Sequence, residues 1–396
     1  MSFSLVTFLT FTTLLLAISG SGFELHWVAA RIIIFLSLLA GVIAHWLSTS
    51  KTRLSPQDYI SKPIELKAKI VAVRLLLVML LAFSTLMSKV FSNWPGATFN
   101  LDFFLVLPLI LLWGVPWYVC RAEAILPAGY DGYARFGQCV LGERKWRWAE
   151  QRELVLAWLV KLIFIPMMYS WLVMTTEGLL AFNWSLHPVV VVGGFYTYGL
   201  AADLLIATSG YLFSTRLLGS AVISTDKTWS GWFVCLLCYP PLIWIYQLVK
   251  KQTNDLVWSD WLEPDQLLFW FWAAAITLTW LVYWLSTFHF GLRFANLSWR
   301  GLVNTGPYRW VKHPAYLSKN LYWWLYLVPF YGVATSYDLI RNIFGLSFVS
   351  LVYYLRAYTE ERHLMRFSEY QAYVIYIREF GLVARLKFWF YLYAKK

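Results

Sequence analysis

The chain has 396 residues, of which 60% are apolar and only 14% charged, with a formal net charge of +12. A soluble domain carries about 25% charged residues, so this composition cannot cover a water-facing surface and excludes a soluble globular protein. The 33 Lys and Arg residues are spread over many connections and form no single patch, which argues against a nucleic-acid surface and assigns the excess charge to membrane topology.

In chain order, ten apolar runs approach the ~20 residues needed to cross a hydrocarbon core: 4–20, 27–48, 69–91, 101–120, 154–175, 188–213, 229–249, 266–287, 315–335 and 338–358. The fold class expected is therefore all-α, a polytopic membrane protein of about ten transmembrane helices. The first run lacks the basic flank of a cleaved signal segment and is expected to be retained as a span. Connection 49–68 holds Lys51, Arg53, Lys62 and Lys67, and connection 121–153 holds Arg121, Arg135, Arg144, Lys145, Arg147 and Arg152. Connections 21–26, 92–100 and 176–187 hold none. Cytoplasmic loops retain Lys and Arg, so the alternation places both termini in the cytoplasm, with 288–314 and the tail 359–396 on the same side. The membrane expected in a bacterial cell is the inner, plasma membrane.

Four regions follow from this pattern: an N-terminal membrane region 1–120, an interfacial loop 121–153, middle spans 154–264 and a C-terminal region 265–396. Trp146 and Trp148 beside Arg144, Lys145 and Arg147 suit a segment lying against headgroups. Lys161, placed near the end of its run, is expected to snorkel to the interface. Pro240-Pro241 is expected to kink the run 229–249. Cys235 and Cys238 read as packing residues inside that same run, and no zinc or disulfide framework is visible. Asp203 lies near the middle of 188–213, where an ionisable residue is costly. It reads either as a helix–helix hydrogen bond or as a contact to a polar substrate group.

The chemistry concentrates at the C-terminal end. In "GPYRWVKHPAYLSKN" (306–320), Gly306-Pro307 marks a turn and Pro314 suits a first helical turn, leaving His313 at the mouth of a helix. His313, Tyr316, Leu317 and Asn320 would then share a face. A second cluster, "LRAYTEERHL" (355–364), places Arg356, Glu360 and His363 on one face, with Arg356 spaced to pair with Glu360 and with Glu361 on a neighbouring face. Together the clusters offer cations, an imidazole, two carboxylates and aromatic rings. That set suits a ligand with an anionic end, hydroxyls or an amine, and a flat or cationic part. S-adenosylmethionine has all of these groups, and a dinucleotide or a lipid headgroup shares many of them.

"GPYRWVKHPAYLS", followed about 45 residues later by "TEERHL" and "EYQAYV", resembles the C-terminal motifs of the isoprenylcysteine carboxyl methyltransferase and phospholipid methyltransferase superfamily. The matching positions are Gly306, Pro307, Tyr308, Arg309, His313, Pro314, Tyr316, Glu360 and Glu361. Lys312 stands where Arg is usual and Ser318 where Gly is usual; the resemblance covers about 265–390, a third of the chain. It implies an integral membrane enzyme using S-adenosylmethionine at the cytoplasmic face. Tyr308, Arg309, Lys312, His313, Pro314, Tyr316, Glu360 and Glu361 would then form the cofactor pocket. Arg309 and Lys312 would face the methionine carboxylate or an anionic substrate, and Glu360 and Glu361 would hold ribose hydroxyls or the amine. A carboxylate or phosphate acceptor needs no base, whereas an amine or hydroxyl acceptor would use His313 or Glu360. Asp203 and Arg356 are the candidates for a membrane lipid or lipid-linked acceptor. Two rival readings are an NADPH-dependent reductase of the sterol reductase type, which shares an HP-x-Y segment, and a multi-span transporter using Asp203.

Overall fold

The computed structural model describes residues 2–49, 63–125 and 132–393; Lys51, Arg53 and Lys62 lie outside the described residues. The protein is all-α, 76% helical. Among the described residues, seven helices are long and apolar enough to cross a membrane, which makes it a multi-pass membrane protein.

The elements are α1 (Ser2–Ser19), α2 (His26–Thr49), α3 (Pro63–Val90), α4 (Ala97–Leu109), α5 (Val115–Ile125), α6 (Gly132–Val140), α7 (Trp148–Leu180) and α8 (Pro188–Leu212). After these come β1 (Ser224–Thr225), α9 (Trp229–Leu236), α10 (Ile243–Lys250), α11 (Trp258–Trp261) and α12 (Leu267–Phe290). The chain closes with β2 (Ser298–Trp299), α13 (Pro314–Leu327), α14 (Ser336–Leu364), α15 (Ser368–Phe380) and α16 (Leu382–Tyr393). Two compact units interleave along the chain. One unit takes Met1–Leu180, Leu204–Lys227 and Gly291–Arg300; the other takes Ala181–Asp203, Thr228–Phe290 and Gly301–Lys396.

In the first unit, two cations inside spans meet carboxylates. Arg31 on α2 bonds Asp102 on α4 at 2.9 Å and Glu177 on α7 at 3.1 Å, and Tyr169 donates to the same Asp102. Lys69 on α3 meets Glu123 on α5 at 2.6 Å. A π-turn, Ile110–Gly114, joins α4 to α5 just after Pro108, which cannot donate to the α-helical ladder. Arg74 donates to the Leu111 carbonyl exposed there, at 2.8 Å. β1 and β2 form an antiparallel ribbon of two residues each, a small departure from all-helical expectation. Helices α3 and α6 touch at Gly137, where an added Cβ would lie 1.9 Å from the Ala68 carbonyl oxygen. Gly137→Ala is accordingly expected to push the two helices apart at a cost of about 1–3 kcal/mol, read as a lowered unfolding midpoint in detergent.

Run 4–20 forms one unbroken 18-residue helix, α1, whose part Phe3–Ser19 is shorter than the seven long apolar helices. Two apolar runs differ from continuous spans. Run 229–249 breaks into α9 and α10, because two consecutive prolines, Pro240 and Pro241, remove two backbone donors and interrupt the helix beyond a kink. Run 315–335 stops at Leu327: Val328 precedes Pro329, where the helical conformation is disfavoured, and adopts a left-handed φ of 42°. Lys161 requires a correction. Helix α7 begins at Trp148 instead of near 154, so Lys161 lies 13 residues inside it, buried, with Nζ 4.8 Å from the Trp158 ring centroid. It does not snorkel to a helix end.

Candidate active site

In the second unit, α13 and α14 form an antiparallel hairpin. Pro314 occupies the first helical turn of α13, with His313 as the N-cap. A capping box starts α14: Thr335 Oγ1 accepts from the Asp338 amide at 3.2 Å, and the Thr335 amide donates back to Asp338 at 2.9 Å. Three rungs hold the register: Trp324 to Ser350 at 3.0 Å, Ser350 to Asn320 at 2.9 Å, and Trp323 to Tyr353 at 3.4 Å. This register brings the start of α13 to the end of α14, so motifs separated by more than forty residues meet.

Their contact is direct. Lys312 Nζ reaches Glu361 at 2.6 Å, and His313 Nε2 reaches Glu361 Oε1 at 3.0 Å. An ionised carboxylate can only accept, so Nε2 donates this bond. Nδ1 lies 4.0 Å from Glu360 Oε2, which places the imidazole between both carboxylates. Tyr316 donates to Glu360 at 2.8 Å. The rings of His313, Tyr316 and Tyr353 stack in sequence, with centroids 5.6 and 6.2 Å apart. Arg356, expected to pair with Glu360, lies against the Tyr316 ring at 4.9 Å and the Tyr239 ring at 5.7 Å. Glu360 and Glu361 remain 37% and 27% exposed, enough to meet a ligand. Leu317 faces away, at 56% exposure, and Arg309 is exposed on the turn preceding α13.

The turn carrying Tyr308 and Arg309 is held from below. Tyr308 is buried edge-on against Phe290, and its carbonyl accepts the Tyr373 hydroxyl at 2.7 Å. Burial holds both phenols well above the ordinary tyrosine range, so they stay protonated. The Leu382 amide bonds the Trp310 carbonyl at 2.9 Å, and Arg385 stacks on the Trp310 ring at 4.5 Å. Thus α15 and α16 clamp the loop. Gly306 has φ of 59°, and a Cβ there would lie 2.1 Å from the His289 ring. Gly306→Ala is expected to cost about 1–3 kcal/mol through its left-handed φ. A companion His289→Ala should recover only the steric part, as read from the two unfolding midpoints.

Asp203 is buried on α8 and accepts the Tyr283 hydroxyl of α12 at 2.5 Å. Its charged neighbour is Lys319 on α13, whose Nζ sits 3.9 Å from the Tyr283 ring centroid. Lys319 lies one turn past Tyr316, so α13 links the cluster around Glu361 to Asp203. Beyond Lys319, Tyr322 and Tyr326 line a cavity of about 160 Å³ with Tyr196, Trp258 and Trp280. Tyr283 and Tyr353 had not been singled out from sequence, and Lys319 stood out only as part of the charged stretch 306–320, without a role. The signal for Lys319 was present, since it is a cation inside an apolar run, but its partner could be known only after α8 and α13 were placed side by side. Among the described residues no group of His, Cys, Asp and Glu is arranged to hold a metal ion.

Comparison of the chain with protein-family models, with curated proteins and with solved structures finds no match.

Proposed function

We propose that the protein is an integral membrane methyltransferase that uses S-adenosylmethionine and acts on a lipid or lipid-linked acceptor bearing a carboxylate, phosphate or amine. The observation that supports this reading most is the direct bonding of Lys312, His313 and Tyr316 to Glu360 and Glu361. The two motifs that resemble one superfamily are thereby joined in one cluster.

The residue set fits the cofactor. Glu360 and Glu361 accept hydrogen bonds, as ribose hydroxyls or an ammonium require; Lys312 and the exposed Arg309 suit a carboxylate; and the stacked rings of His313 and Tyr316 suit a flat base or a sulfonium. Bound there, the cofactor supplies an electrophilic methyl group. The chain's own contribution is positioning and exclusion of water. An amine acceptor would lose a proton, for which His313 or Glu360 is the candidate base, whereas a carboxylate or phosphate needs none.

For topology, we propose that α1, the broken α9–α10 segment and α13 with its following loop complete about ten crossings. Lys and Arg placement then puts both termini and the Glu361 cluster at the cytoplasmic face. The test of the function is transfer of a tritiated methyl group from S-adenosylmethionine into solvent-extracted lipid by membranes containing the protein. Label in a lipid band, lost in Glu360→Ala, supports the reading. No transfer to any endogenous lipid or lipid-linked species by folded protein contradicts it.

A further inference from the structure

Lys161 and Arg300 are two buried basic side chains of the first unit, at 8% and 4% exposure. Arg300 is the charged group that acts on Lys161, and among the described residues no carboxylate acts on either. This sets them apart from Arg31 and Lys69, which the same unit neutralises with Asp102, Glu177 and Glu123. Two basic groups taken out of water without a carboxylate beside them are a costly arrangement, and so a candidate for binding an anion.

The guanidinium also presents a defined edge. Its Nη1 donates to the carbonyls of Gly210 and Leu292. Its Nε and Nη2 are buried without a partner among the described residues. Those two nitrogens form the side-on fork that takes two oxygens of a carboxylate or phosphate in parallel. Burial lowers the Arg300 pKa only to about 10, so the group stays cationic at neutral pH. The Tyr211 ring backs the guanidinium at 5.9 Å, and Tyr211 stacks on Phe164, one turn past Lys161 on α7. Two further buried hydroxyls without a partner among the described residues, Thr225 and Ser298, face each other across the β1–β2 ribbon, two residues from Arg300 along the chain.

We infer that Arg300 and Lys161 form a binding site for a phosphate-type oxyanion, with the Arg300 fork gripping two oxygens and Lys161 supplying the second positive charge. The oxyanion is the headgroup phosphate of an anionic lipid or a free phosphate. The site is independent of the methyltransferase reading, since none of its residues belongs to the Glu361 cluster.

The test is native mass spectrometry of the delipidated full chain in detergent, titrated with dioleoylphosphatidylglycerol, with phosphate-free dioleoylglycerol and with inorganic phosphate. Wild type is expected to retain a phosphate-bearing ligand and to ignore dioleoylglycerol. Binding of the phospholipid alone makes the ligand a headgroup; binding of inorganic phosphate as well makes it an oxyanion from solution. Arg300→Lys keeps the charge but loses the fork, and is expected to weaken binding at least about tenfold. Lys161→Met removes a buried charge without opening a hole, so it should fold and also weaken binding. Folded wild type that binds neither phosphate form, or a Lys161→Met protein that binds as wild type does, overturns the inference.

Discussion

Replacing Glu361 by Gln is expected to weaken binding of S-adenosylmethionine by about ten- to hundredfold while leaving the protein folded. Glu361 accepts from both Lys312 and His313, so it fixes the positions of the ammonium and the imidazole together. Glutamine keeps one accepting oxygen and presents an NH₂ to one of two donors, leaving Lys312 without its counter-charge. A hydrogen bond to a charged group contributes about 1.5–3 kcal/mol, which is the source of the expected factor. Equilibrium binding to the purified protein checks this. Glu369→Gln, on an exposed position of α15, serves as the control and should bind as wild type does. Equal affinity in Glu361→Gln and wild type would remove Glu361 from the cofactor site.

The second large effect is on stability. Asp203→Leu is expected to destabilise the protein by about 1–3 kcal/mol, because it removes the buried carboxylate whose charge acts on half-buried Lys319. It also strips the Tyr283 hydroxyl of its acceptor. Adding Lys319→Met to the same chain should recover part of the loss, since the two opposite charges are then both replaced by apolar side chains, while Tyr283 still lacks its acceptor. Chemical unfolding of the single and double variants in one detergent measures the coupling. Purely additive effects would mean that Asp203 and Lys319 do not act as a pair.

The cluster around Glu361 was legible in the sequence because its parts are local. Proline fixes the start of α13, and the adjacent Glu360 and Glu361 stand out near the end of α14, although the i, i+4 spacing of Arg356 and Glu360 set Glu361 on a neighbouring face. The meeting of the two follows from a hairpin between adjacent helices. What was not legible depends on lengths and long-range contacts. Extension of α7 back to Trp148 changed Lys161 from an end position to an interior one. The early end of α13 at Leu327 is explained by Val328-Pro329, a signal that run length alone concealed. Arg300 lies in a loop by sequence and becomes a buried cation only through its bonds to Gly210 and Leu292. Asp203 stood out as an ionisable residue in a span, yet Tyr283 is eighty residues distant along the chain and no local pattern joins them.

The measurement that tests the central claim most directly is calorimetric binding of S-adenosylmethionine and, separately, of NADPH to the purified full chain, alongside His313→Ala. The account predicts saturable binding of S-adenosylmethionine, its loss in the variant, and no heat from NADPH. Binding of NADPH alone would contradict it and make the Lys312–His313–Glu361 cluster part of a reductase.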